Sequence, residues 1–215
     1  GDHRYLHSFP TRRSSDLTYT LFVPHDIPGL IRLMGGEEKF ENYLDSLFTM
    51  ELPEKYYAQT EDISRVGIIG NYVHGNEPGH HIPYLYNYTS SPWKTQDRVE
   101  NILKTLYTRS PSGLCGNDDC GQMSAWYLFG CMGFYPVCPG STLYAIGKPA
   151  FRELSLRLEN GKSLRIKATL WSPSHRYVQA LYINGKRVEG NFFDHSEISQ
   201  GGEMEFVMGT EIPGK

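Results

Sequence analysis

Apolar positions along this chain recur first at a helical period and, past about residue 140, at the alternation that marks strands. In Glu37–Phe48, the residues Phe40, Tyr43, Leu44, Leu47 and Phe48 fall on one face, the pattern of an amphipathic helix. A shorter helix is expected over Ile27–Gly35, ended by Gly35-Gly36. Another is expected over Thr95–Tyr107, with Val99, Ile102, Leu103 and Leu106 turned inward. Residues 49–70 are mixed and read as an extended connection. Ile82-Pro83-Tyr84-Leu85-Tyr86 is an unbroken apolar and aromatic run whose early proline suits a first helical turn. After Gly121, apolar side chains return every three to four positions (Met123, Trp126 or Tyr127, Gly130 or Cys131, Phe134), which predicts a largely buried helix. Phe134-Tyr135-Pro136-Val137-Cys138-Pro139-Gly140 breaks it. Beyond lie five expected strands, Leu143–Ile146, Phe151–Leu158, Ser163–Leu170, Tyr177–Ile183 and Glu203–Met208, with a hairpin turn at Asn184-Gly185. The fold class is α+β: a helical region over 18–140 and a small antiparallel β region over 141–215.

Length and composition narrow this little. The chain has 215 residues, 39% of them hydrophobic, and a formal net charge of −3. That allows a sizeable core in one or two domains. No basic stripe invites nucleic acid, and no apolar run is long enough to span a membrane. The four cysteines are spaced C-x4-C-x10-C-x6-C, without the C-x2-C pairs of a structural zinc site, and read as buried thiols. Residues 1–17 (GDHRYLHSFPTRRSSDL) stand apart. They have no apolar period and match a translated sequencing-library adapter at every position but Tyr5, so they read as a non-native tail outside the fold. Asn87-Tyr88-Thr89 is formally a glycosylation sequon, a triplet common by chance.

Two polar loops carry the candidate chemistry. His74, Asn76, Glu77, His80 and His81 crowd into one stretch, and Asn117, Asp118 and Asp119 into the other; each loop feeds a buried helix. Asn and Asp are favoured N-caps, since their side-chain oxygens accept from the free N–H groups of a first turn. A carboxylate there serves as a plain cap or holds a water or a metal. Loops opening at the same end of neighbouring helices would bring Glu77 near Asp119.

Five stretches together resemble glycoside hydrolase family 92, the calcium-dependent exo-α-mannosidases. They are Y-T-L-F-V-P-H-D at 19–26, H-G-N-E-P-G-H-H-I-P-Y-L-Y at 74–86, G-N-D-D-C-G-Q-M-S-A-W-Y at 116–127, G-F-Y-P-V-C-P-G at 133–140 and Y-A-I-G-K-P-A-F at 144–151. The resemblance implies part of an (α/α)6-barrel followed by closing strands. It implies α-mannoside glycans as substrate and a periplasmic or secreted setting. The implied general base is Asp119, with Asp118 an acidic neighbour in the catalytic loop. The general acid in such proteins lies just upstream of the Tyr19 motif, where this chain carries the adapter-like residues. Glu77 is the remaining candidate acid within the chain. Asn76 and Glu77 are implied ligands of Ca2+, a hard cation that takes oxygen donors; zinc held by the histidines is the competing idea, less suited to amide and carboxylate oxygens. Glu77 and Asn117 are implied substrate contacts, and His74, His80 and His81 sugar contacts or structural residues. Trp93 and Trp126 are readable as sugar platforms or as core. Gly75 and Asn117 leave the linkage open, and nothing reports the oligomeric state. A partial barrel also leaves apolar helix faces uncovered, so the chain alone is expected to be inactive and aggregation-prone. The alternative is a non-catalytic carbohydrate-binding role for 141–213, where Trp171 is the one aromatic platform and a structural role is favoured.

Overall fold

The computed structural model describes residues 14–51 and 67–213, so most of the connection expected over 49–70 lies outside the described residues. Among the described residues, five α-helices precede the two larger sheets: α1 (Ser14–Tyr19), α2 (Ile27–Leu33), α3 (Glu37–Thr49), α4 (Trp93–Thr105) and α5 (Gln122–Met132). α1 runs across the junction between residues 17 and 18. Leu17 is buried in the helical core, and the Tyr43 hydroxyl donates to its carbonyl at 2.9 Å. α2 starts where Asp26 accepts from the Gly29 N–H at 2.8 Å. α3 buries Phe40, Leu44, Leu47 and Phe48 and leaves Tyr43, the other residue of the stripe read from its period, half-buried. Its outer side is tied down by Asp45, which accepts from the Tyr86 hydroxyl at 2.9 Å and pairs with Lys94 and Arg98 on α4.

The helix expected from Ile82 onward forms over Ile82–Tyr88 and is of the 3-10 type. Ile82 through Asn87 are all buried, so the run has no polar face from which a period could be read. Buried Asn87 donates to the carbonyls of Ile146 (2.8 Å) and Asn191 (3.0 Å), and Asn191 donates back to the Asn87 carbonyl at 3.0 Å. This exchange fastens the helical region to the sheets. It also removes the sequon asparagine from solvent.

Short strands β1 (Ile68–Ile69) and β2 (Tyr72–Val73) form a ribbon. β3 (Phe134–Tyr135), β4 (Leu143–Ile146) and β9 (Phe192–Asp194) form a three-stranded antiparallel sheet. The larger sheet runs β5 (Glu153–Arg157), β6 (Ser163–Thr169), β10 (Gly202–Gly209), β7 (Tyr177–Ile183), β8 (Lys186–Arg187). It is mixed, which corrects the antiparallel expectation: β10 pairs parallel to β6 and antiparallel to β7. β6 and β7 run oppositely, and a strand inserted between such neighbours must be parallel to one of them. The Asn184-Gly185 turn forms as expected, with φ of 51° and 78° and Ile183 paired to Lys186.

Two apolar cores result. One gathers Phe40, Leu44, Tyr72, Tyr84, Ile102 and Trp126; the other gathers Leu164, Ile166, Leu181, Met204 and Phe206 beneath the large sheet, with Phe129 of α5 packed against both. Trp171 packs against the second core. Of the cysteines, Cys115 and Cys131 are buried and Cys138 half-buried, as expected of structural thiols, but Cys120 is exposed. Phe206 is fully buried on the central strand, whereas Phe151 is 49% exposed. Phe206→Ala is therefore expected to lower the unfolding free energy by about 3–5 kcal/mol, and Phe151→Ala by under about 1 kcal/mol. Urea denaturation of both variants checks this.

Candidate active site

The two polar loops meet backbone to backbone. A Cβ on Gly116 would stand 2.4 Å from the Gly75 carbonyl oxygen, and one on Gly75 would stand 2.8 Å from the Cys115 oxygen. Only glycine on both sides allows that approach. It brings Asn76 and Glu77 on one loop and Asn117, Asp118 and Asp119 on the other to either side of a single contact.

Beyond Gly116 the chain coils through three consecutive residues of positive φ: Asp119 (43°), Cys120 (59°) and Gly121 (90°). The coil folds the loop back over the start of α5. The cap position falls on Gly121, which has no side chain to offer, and Asp118 supplies the cap instead. One Asp118 carboxylate oxygen accepts from the Ser124 N–H at 2.8 Å and the other from the Ser124 hydroxyl at 3.0 Å. The carbonyls of Asp119, Asp118 and Gly121 take the N–H groups of Gln122, Met123 and Ala125. The otherwise orphaned N–H groups of Gln122, Met123 and Ser124 are thus satisfied, and the Ala125 bond to the Gly121 carbonyl opens the regular ladder. Asp118 is committed to the helix, while Asp119 is exposed on a backbone that Asp tolerates better than most residues. Asn117 is exposed too, and Asn76 and Glu77 are half-buried at the start of a 3-10 turn (Glu77–Gly79).

The histidines lie underneath. His74, His80 and His81 are 0%, 1% and 4% exposed. The Tyr107 hydroxyl donates to the Met123 carbonyl (3.1 Å), so it accepts from His74 Nε2–H at 2.7 Å, and His74 Nδ1 accepts from the Tyr72 hydroxyl at 2.8 Å. His80 Nε2 donates to the His74 carbonyl (3.0 Å), which leaves Nδ1 to accept from Gln122 at 3.2 Å. His81 Nε2 donates to the Leu21 carbonyl at 3.0 Å. Of the two roles open to these imidazoles, burial and internal partners favour the structural one. Zinc is disfavoured for the same reason, and among the described residues no three His, Cys, Asp or Glu side chains gather as metal ligands. Trp126, fully buried, packs edge-on to His74 at 4.3 Å between ring centres and donates to the His80 carbonyl at 2.9 Å, so it belongs to the core.

Burial, then the neighbouring His80, pushes His74 well below the usual imidazole range. Burial likewise lowers His80 to about 4, against the pull of its bond to the His74 carbonyl, and lowers His81. Sequence reasoning missed Tyr107 and Gln122 as partners of this layer. Tyr107 belongs to no polar cluster, and Gln122 is indistinguishable by pattern from any first-turn helical residue.

A family model described as "Glycosyl hydrolase family 92 catalytic domain" matches residues 7–210. Among solved structures, the chain is similar to a family GH92 alpha-mannosidase from Bacteroides thetaiotaomicron in complex with mannoimidazole. The identity is 45% and the TM-score 0.83, over 91% of this chain and 25% of that one. It is also similar to a family GH92 inverting mannosidase from the same organism, with 37% identity and a TM-score of 0.75 over 93% of this chain and 28% of that one. A protein of Arthroderma benhamiae described as an uncharacterized secreted glycosidase is 30% identical over 193 residues, 88% of this chain and 22% of its own length. The chain therefore spans about a quarter of the length of these relatives.

The buried imidazoles make stability acid-labile. Unfolded His titrates near 6.5 and folded His80 near 4, so between those values only the unfolded state binds the proton. The His80 contribution to stability is fully present above pH 6.5 and is lost as pH drops towards its folded value, a loss of about 3 kcal/mol by pH 4. Urea titrations at pH 7 and 4.5 are expected to show a steeper loss in the wild type than in His80→Asn, which lacks the titrating ring.

Proposed function

Because this chain belongs to glycosyl hydrolase family 92, we propose that it contributes the base-bearing half of the active site of an inverting, calcium-dependent exo-α-mannosidase. Its helical region is proposed to form part of an (α/α)6-barrel. The observation that carries the reading is the glycine-to-glycine contact of Gly75 and Gly116, which unites a loop of oxygen donors with a loop carrying an exposed carboxylate. Relatives described as mannosidases support the substrate class, and one described as a secreted glycosidase supports a secreted or periplasmic setting.

Inversion needs two carboxyl groups roughly 6.5–9.5 Å apart, one to protonate the leaving oxygen and one to activate a water on the opposite face of the sugar. Asp119 is the proposed base. Its side chain is exposed, whereas both oxygens of Asp118 are held by Ser124, so Asp118 serves by fixing the turn that aims its neighbour. The acid is proposed to come from the remainder of the whole protein, with Glu77 the alternative within this chain. Asn117 and Glu77 are the proposed substrate contacts, resting on the layer of His74, His80 and His81.

The donor chemistry fits calcium. Asn76 and Glu77 offer amide and carboxylate oxygens, while the imidazole nitrogens nearby are engaged within the protein. Bound there, calcium would engage sugar hydroxyls and help orient the ring. The proposed substrate is an α-linked mannose at the non-reducing end of a glycan, with the linkage left open.

In the whole protein, Asp119→Asn is expected to lower kcat on an α-mannoside by about a thousandfold or more with an unchanged melting temperature. Asp118→Ala is expected to lower stability by about 1 kcal/mol through the lost cap. Normal turnover in Asp119→Asn would refute the base. Exhaustive chelation is expected to abolish turnover and added calcium to restore it; full activity after chelation refutes the metal assignment. Proton NMR of the first-formed mannose, read before mutarotation, is expected to show the β anomer.

A further inference from the structure

Tyr107 lies just past the end of α4, outside both polar loops, yet its hydroxyl touches the support of each. It accepts from His74 Nε2–H at 2.7 Å, two residues before Asn76, and donates to the Met123 carbonyl at 3.1 Å, in the first turn that Asp118 caps. Its ring lies parallel to that of Trp126, 6.1 Å between centres, and edge-on to His74 at 5.4 Å, so the phenol has little freedom to turn away. The other ties between the layers, Gln122 to His80 and Trp126 to the His80 carbonyl, are bonds from α5 itself. Tyr107 reaches in from a third element and spans both sides with one oxygen.

We infer that Tyr107 is a positioning residue of this site: its phenol sets the distance between the loop bearing Asn76 and Glu77 and the loop bearing Asp119. The inference rests on the mannosidase reading. The hydroxyl acts as a spacer of fixed length, since the acceptor lone pair and the donated proton of one oxygen are both used. Without it, His74 keeps its Tyr72 bond and its packing against Trp126, but it loses the directed hydrogen-bonded link that runs through Tyr107 to the Met123 carbonyl of α5. The two loops then drift against each other, and the aim of a catalytic group is sensitive to shifts of this order.

The test compares Tyr107→Phe and Tyr72→Phe in the whole protein. Tyr72 bonds the other nitrogen of the same imidazole and does not bond α5. Tyr107→Phe is expected to lower kcat about 10- to 100-fold, with KM changed less than about threefold and near-ultraviolet circular dichroism unchanged. Tyr72→Phe is expected to keep kcat within about threefold of wild type. Wild-type kcat in a folded Tyr107→Phe overturns the inference, as does an equal loss in the two variants, which would make the role one of fixing His74 alone. A loss accompanied by collapse of the near-ultraviolet signal also overturns it, because the residue would then be structural only. Nitrogen-15 NMR of the His74 ring supplies a readout independent of turnover: the Nε2-protonated tautomer is expected in wild type and a mixed tautomer in Tyr107→Phe. If wild type hydrolyses no α-mannoside while the ring signals still shift, the mannosidase reading has failed and the hydrogen-bonded tie has not.

Discussion

Two stretches of backbone can come within contact distance only where neither carries a side chain in the way, and the site depends on one such place. Gly75 and Gly116 let the loop of oxygen donors and the loop of carboxylates touch directly. The aromatic and imidazole layer of His74, His80, Tyr107 and Trp126 lies beneath and fixes the approach with directed hydrogen bonds, while Tyr72 holds the far nitrogen of His74. Such a network is strong in low dielectric only if every member has a partner. The linked bonds from Tyr72 through His74 and Tyr107 to Met123 meet that condition with each proton assigned.

Much of the helical region was legible in the sequence because its helices are amphipathic. The stripe of α3 and the inward face of α4 are periodic, and the structure buries those residues apart from Tyr43 and Leu103, which are half-buried. The Ile82–Tyr88 run was not legible as a 3-10 helix, since a segment buried all round offers no face. Strand positions were legible from alternation, but alternation is blind to pairing direction, and so the parallel β6–β10 pair had no sequence signal. At the site, the two loops were visible as clusters of polar residue types. The division of labour between Asp118 and Asp119 was not, because it follows from three residues of positive φ that fold one carboxylate back onto Ser124. Tyr107 was hidden for a different reason: its importance lies entirely in what it touches, far along the chain from both partners.

The β region reads as a brace. Its core receives the end of α5 through Met132 and the start of β3 through Phe134, and α4 is bonded to β7 by Gln96 and to its approach by Asp97. The helix that begins at the carboxylate loop is therefore anchored at its far end in the second core, with Phe129 shared between the two.

The exchange between Asn87 and Asn191 carries a consequence for how the chain is made. Asn87 heads an N-Y-T triplet, and in the finished fold its amide is buried and bonded to Ile146 and Asn191. In a secretory pathway that attaches glycans to nascent chains, the triplet passes the transferase before that amide is covered. Folding and modification then compete for one nitrogen. A sugar attached there takes one of the two amide hydrogens that Asn87 donates to the Ile146 and Asn191 carbonyls, and it puts a bulky group where the helical region must seat against the sheets. The choice of expression host thus becomes a structural variable for this sequence.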